Sequence, residues 1–229
     1  SGAMNEPNKS IKKTDIAAFV TSLKKEFTVI GPRPQKYYAD FTSNQKISFE
    51  VIDKPDELVL DYTTTALPPK KVFLPAQETL IKFDGDRVRA EITAVPTILF
   101  GVHGCDITSF KLLDKALLEK NPDPYYKAKR EATLVFGVGC IPDEHCFCAS
   151  TGSDQVKPGD FDLFFVDVGD AYLVAVGSKR GGEVLAKHSK PNDANAAQGK
   201  AAEKKRVERA GLFKTKLNMD MKELASLMG

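Results

Sequence analysis

The chain has 229 residues, 42% of them hydrophobic and 28% charged, a make-up ordinary for a globular protein of one large domain or two small ones. No run of about 18 apolar residues occurs, which excludes a transmembrane helix, and a formal charge of +2 points to no class of partner by itself. Ser1 to Met4 read as the remnant of a cleaved tag and stand outside fold reasoning. No secretory leader is visible, so the expected location is the cytoplasm.

Residues 11–26 carry Ile16, Phe19, Val20 and Leu23 on one helical face, with Thr14 as the expected N-cap. Phe27 to Ile30 reads as a short strand stopped by Gly31-Pro32. Ile47 to Val51 and Glu57 to Asp61 alternate in the manner of half-buried strands. The prolines of residues 63–71 predict an extended loop, and a short helix is expected near Gln77–Ile81. Ala94 to Phe100 is an apolar, β-branched run that predicts a strand buried on both faces. It ends in Gly101-Val102-His103-Gly104-Cys105-Asp106, and residues 107–119 then show helical spacing at Phe110, Leu113, Ala116 and Leu117. Asn121 to Pro124 breaks that helix and another begins at Tyr125, whose pairing with Tyr126 reads as core packing. Ala132 to Val138 is a second buried strand, and a cysteine-rich loop follows from Gly139 to Ser150. Phe161 to Val168 and Ala171 to Val176 are two more strands, joined by a hairpin-like turn at Gly169-Asp170. Residues 187–198 have the composition of a linker. Ala201 to Leu212 and Met219 to Met228 read as helices.

This order predicts an α/β fold: a mixed, largely parallel central sheet with flanking helices, and a smaller N-terminal α+β portion. The expected divisions are 5–90 for that portion, 91–188 for the cysteine-bearing core, and 189–229 for a linker and C-terminal helices. The basic stretch Lys200 to Lys216 lacks the aromatic or motif support that nucleic-acid binding needs. It reads as a solvated helix face serving as a tether.

The four cysteines carry the chemistry, spaced Cys105-x34-Cys140-x5-Cys146-x-Cys148. Ligands in parallel sheets sit beyond the carboxyl ends of strands, and Cys105 and Cys140 each follow a predicted buried strand. Four thiolates at one edge suit an iron–sulfur cluster. Zinc, a redox disulfide and inert buried thiols are the other readings left by spacing alone. A single activated nucleophile accounts poorly for three clustered thiols. His103 and His145 flank the cysteines and read as hydrogen-bonding residues. Asp106 is expected to cap the helix after Cys105. Gly101 and Gly104 are expected to allow close backbone approach. Asp160, Asp162, Asp167 and Asp170 read as structural. With Ile141 and Phe147 as almost its only apolar anchors, the loop 141–150 is expected to be ordered by metal ligation.

Several ordered motifs fall over residues 26–186: Pro68-Pro69-Lys70-Lys71 with Phe73-Leu74-Pro75 and Glu78-Thr79-Leu80; Phe100 to Asp106; Asp123-Pro124-Tyr125-Tyr126 with Arg130-Glu131; Cys146-Phe147-Cys148 with Gly152; and Asp160-Phe161-Asp162-Leu163. In this order they resemble the N-terminal part of one family, that of anaerobic sulfite reductase electron-transfer subunits and sulfhydrogenase beta-subunits. The resemblance implies an electron-transfer role in anaerobic metabolism, without catalysis by this chain alone. It implies one cluster, of the [4Fe-4S] type, on Cys105, Cys140, Cys146 and Cys148. The implied partners are a flavin/NAD(P)-binding subunit, a ferredoxin-like domain of the same polypeptide, and a redox catalytic subunit. No nucleic acid is among them. Family members usually continue into that ferredoxin-like domain, and this sequence stops near where it begins. His103-Gly104 departs from the arginine or proline usual before the first cysteine, which bears on partner contacts at that loop. A cluster-free scaffold that docks a ferredoxin-like or flavoprotein partner is the alternative.

Overall fold

The computed structural model describes residues 8–35 and 47–217. The helix expected at Met219–Met228 lies outside them. The described strands are β1 (Lys9–Lys12), β2 (Thr28–Pro34), β3 (Ile47–Val51), β4 (Ile81–Asp84), β5 (Arg87–Ala90), β6 (Thr97–Val102), β7 (Thr133–Val138), β8 (Leu163–Asp167), β9 (Ala171–Val176) and β10 (Asn192–Asp193). The helices are α1 (Ile16–Leu23), α2 (Gly104–Leu118), α3 (Pro124–Ala132), α4 (Cys148–Thr151), α5 (Lys179–His188) and α6 (Ala196–Gly211). Eight strands form one sheet in the order β10-β1-β9-β8-β7-β6-β2-β3, and β4 and β5 form a separate hairpin. The centre is parallel, β2 with β6, β6 with β7 and β7 with β8, while the remaining pairs are antiparallel. This is the mixed α/β fold expected.

Every residue of β6 and β7 is buried, because helices cover both faces of a parallel centre. Side chains alternate between those faces. On one, Phe100, Phe136 and Phe165 form an aromatic layer, with Phe19 of α1 set edge-on to Phe100 at 6.1 Å and stacked on Phe136 at 6.3 Å. On the other, α2 comes so close that a Cβ on Gly137 would lie 2.4 Å from Phe164 and 2.8 Å from Ile107. Burial of each such phenylalanine contributes about 1.5–3 kcal/mol, so this double-sided layer dominates the core. Tyr126 is fully buried beside Phe73, as expected, while Tyr125 stays partly accessible.

Local expectations change in several places. Lys9–Lys12 is a strand rather than the start of a helix, and Asp15 rather than Thr14 occupies the N-cap of α1. Gly31-Pro32 does not stop β2. The parallel pairing with β6 ends at Ile30, so Pro32 removes no donor from that ladder while the strand continues against β3. Residues 58–62 hold Leu60 and Tyr62 inward without forming a strand. Pro69–Val72 is a 3-10 turn with proline at its first position, where no donor is needed. The helix expected near Gln77–Ile81 does not form: residues 77–80 are irregular and the β4–β5 hairpin begins at Ile81. Among the described residues no helix is long and apolar enough to cross a membrane.

Candidate functional site

Neighbouring strands β6 and β7 run parallel and deliver two cysteines to one edge. β6 leads through His103 into α2, whose second residue is Cys105, and β7 leads through Gly139 to Cys140. The loop after Cys140 carries Cys146 and then Cys148, the first residue of α4. All four thiols are free. They share a neighbourhood: Cys105 feels the charge of Cys148 and Cys140, Cys148 that of Cys140, and Cys146 that of Cys148.

The edge is fastened by polar contacts. A Cβ on Gly104 would stand 2.9 Å from the Asp154 carbonyl oxygen, so the start of α2 lies directly against the end of the cysteine loop. The Thr108 hydroxyl donates to the Ser153 carbonyl at 2.8 Å. The Ser153 N–H and the Thr151 hydroxyl both donate to the Cys148 carbonyl, each at 3.1 Å. From the C-terminal side, the Thr215 hydroxyl donates to the Glu144 carbonyl at 2.6 Å and the Leu217 N–H to Ser150 Oγ at 3.2 Å. Ile141 and Phe147, the expected apolar anchors, are instead exposed. Pro142 is buried, and polar bonds hold much of the rest of this loop.

Beneath the thiols Tyr62 stacks on His103, centroids 4.0 Å apart, and donates its hydroxyl to the Gly101 carbonyl at 2.7 Å. Gly101 has φ +88° at a bulge between Phe100 and Val102, a conformation that favours glycine. His103 is the N-cap residue of α2 and Asp106 sits in its first turn, so the expected capping role of Asp106 is not met. Burial, helped by Arg209, lowers the His103 pKa to about 4 and keeps the ring neutral; its Nε2 has no hydrogen-bond partner. Burial raises Asp106 to about 6, with Lys70 pulling it back. His145 is exposed; its ring lies 3.7 Å from Glu144 and its backbone N–H donates to Asp143 Oδ1 at 2.9 Å.

Cys105, Cys146 and Cys148 are held as S–H. Although Cys105 reaches solvent, packing around its sulfur pushes its pKa up to about 12, with Asp106, Cys148 and Cys140 adding to the effect. Cys146 rises to about 11, through burial and then its bond to Asp143. Cys148 is raised by burial, then by Asp154 and Cys140, against the pull of Arg209. Arg209 itself arrives from α6, the stretch that reads as a solvated face, and touches both Cys140 and Asp154. No local pattern in the sequence marks Arg209, Asp154 or Tyr62 as site residues. The alternation of Leu60 with Tyr62 marks the tyrosine as buried and nothing more. Asp162 is structural, accepting from the Val135 N–H at 2.7 Å and the Ser178 hydroxyl at 2.5 Å. Asp160 pairs with Lys111, and Asp167 with Lys13 and Lys205.

Among the described residues no three His, Cys, Asp or Glu side chains gather around a single ion position. The donor set still fits a multi-iron cluster. Four soft thiols on the segments that follow β6 and β7 match its ligand chemistry.

Fold and site together define a class: a mixed α/β domain that gathers free thiols at the carboxyl edge of its parallel strands. The chain is 41% identical over 150 residues to the sulfhydrogenase 2 subunit beta of Pyrococcus furiosus. The match takes in 66% of this chain and 45% of that relative, so the chain spans under half the length of the curated relative it matches. Over that stretch the similarity supports a place in the sulfhydrogenase beta-subunit family. No protein-family model and no solved structure matches it.

Proposed function

We propose that this chain is part of an electron-transfer subunit of a hydrogenase-type oxidoreductase, with Cys105, Cys140, Cys146 and Cys148 holding one iron–sulfur cluster of the [4Fe-4S] type. The observation that carries the reading is the delivery of four thiols to one sheet edge by β6, β7 and the loop after them. The kinship with a sulfhydrogenase beta subunit supports it. The partners in this reading are a flavin/NAD(P)-binding subunit, a ferredoxin-like domain of the same polypeptide, and a redox catalytic subunit, working together in the cytoplasm.

When bound, the cluster supplies a site that takes up and releases single electrons. The chain's own residues do the rest. Ligation needs thiolates, so loading iron releases the protons that the raised pKa values of Cys105 and Cys146 retain. The N-terminal end of α2 works against the burial that holds Cys105 as a thiol and so lessens the cost of its thiolate. The stacked Tyr62 and His103 floor the site with a neutral ring pair. Exposed Phe147 and Ile141 stand beside the thiols, where a redox partner has to approach.

Anaerobic reconstitution with iron and sulfide tests the proposal. The expected result is about four iron atoms per chain with broad visible absorption, both lost in Cys105→Ser and Cys140→Ser. Stoichiometric zinc without sulfide would overturn it. The raised thiol pKa values also favour a second reading, a cluster-free scaffold that docks a ferredoxin-like or flavoprotein partner. Colourless, iron-free protein after anaerobic purification and reconstitution would select that one.

A further inference from the structure

Arg209 is the single cation, among the described residues, that hydrogen-bonds a cysteine sulfur. Its planar guanidinium is held from several sides. Nε donates to the Cys140 carbonyl at 3.0 Å, Nη2 to Cys140 Sγ at 3.4 Å and Nη1 to Asp154 Oδ2 at 2.7 Å. The Phe213 ring lies under it, 5.0 Å from the central carbon. A fork bonded in this way has one orientation. Asp154 is almost buried and uses one oxygen for the fork, while its Oδ1 has no partner. The acidic groups around the thiols are Asp106, Asp143 and Asp154, and His103 is neutral. A charged, fixed guanidinium on one sulfur therefore stands among these carboxyl groups, with Lys70 near Asp106.

We infer that Arg209 is a positioning residue for the site, fixing the Cys140 sulfur and increasing the electron affinity of whatever cluster that sulfur ligates. The inference rests on the cluster reading above. One-electron reduction adds one negative charge, part of it on the ligand sulfurs. An N–H donor with a full positive charge stabilises that more negative state, a recognised lever on cluster potentials. Asp154 opposes it electrostatically, while the guanidinium donates directly to the sulfur. Helix α6 thereby becomes a wall of the site, and the residues that pack it on the sheet act on the redox chemistry.

The test is an anaerobic titration of the reconstituted full chain with dithionite, followed by electron paramagnetic resonance and visible absorbance, with iron and sulfide counted in each variant. Arg209→Gln is expected to lower the reduction equilibrium constant about tenfold, a midpoint about 59 mV more negative for one electron. Arg209→Lys restores charge without the fork and should fall between. Lys204→Gln, on the exposed side of α6, should leave the midpoint unchanged. If Arg209→Gln fails to retain iron, the lysine variant decides alone: a midpoint equal to wild type overturns the inference. Fully loaded Arg209→Gln with an unshifted midpoint overturns it as well, while leaving the cluster reading intact. Wild-type chain that takes up no cluster overturns both.

Discussion

The two ends of the parallel strands are built by different means. At the carboxyl end, short polar bonds join α2, the cysteine loop and the C-terminal stretch, and apolar side chains contribute little. At the amino end, the β4–β5 hairpin stands over a cleft of about 490 Å³ lined by Thr97 and Thr133. All eight hairpin residues are exposed. Its cross-strand pairs, Phe83 with Val88 and Ile81 with Ala90, form an apolar face, yet a lone two-stranded hairpin is marginal in water. It is tied down by the Lys129–Glu78 ion pair and by the Tyr125 hydroxyl on the Leu80 carbonyl. A change at the carboxyl end therefore disturbs several elements at once, while a change on the hairpin stays local.

The sharpest way to break this comparison is Gly104→Ala. Its new methyl meets backbone, the Asp154 carbonyl oxygen at 2.9 Å, and not a side chain that can swing away. Overpacking of this kind costs about 1–3 kcal/mol, so urea unfolding should show a loss of that size together with faster loss of iron to a chelator. Wild-type stability and retention would mean that the end of α2 is not fastened to the loop as described.

A smaller effect separates two buried groups in the iron-free protein. His103, depressed to about 4, costs stability as pH falls from its ordinary value of 6.5, because the unfolded chain takes up a proton that the folded chain refuses. Asp106, raised to about 6 from 3.8, has the opposite sign: its contribution is present at low pH and is lost as pH rises through 6. Between about pH 4 and 6 the two slopes oppose each other. Asp106→Asn should leave stability falling more steeply on acidification, and His103→Gln should leave it rising. Identical pH profiles in both variants and wild type would show that neither group is buried as described. The smallest effect expected is at the other end. Phe83→Ser, on a side chain 75% exposed, should change stability by less than about 0.5 kcal/mol, read as an unchanged urea midpoint.

How much of this is legible in the sequence follows from the range of each interaction. β6 and β7 are legible because burial on both faces leaves an uninterrupted apolar run, and the cysteines just past those runs fix the edge where they lie. β1 and β10 carry no such mark. They are short, polar and paired with each other at the sheet margin. Helix α5 is not expected from the sequence, and it carries Gly181-Gly182, a pair of low helix propensity. Gly181 is there because a Cβ would sit 2.2 Å from the Asp162 carbonyl oxygen, and Ser178 caps the helix at the Gly181 N–H. The hairpin is missed when Gln77–Ile81 is judged alone, since its partner strand begins only at Arg87. Arg209 is out of reach of any local pattern, since 69 residues separate it from Cys140.

The bulge at Gly101 also keeps count between two chain segments. Phe100 faces Phe136, but the next matched pair is Val102 with Gly137, so β6 spends one residue more than β7 over the same step. From that pair Cys105 lies three positions on (105 − 102), and Cys140 likewise three (140 − 137). The two segments thus reach their cysteines in phase after the bulge and out of phase before it. Deleting Gly101 would leave Cys105 one residue early, at a different angle around the first turn of α2. A glycine with no polar side chain thereby sets the relative timing of two thiols.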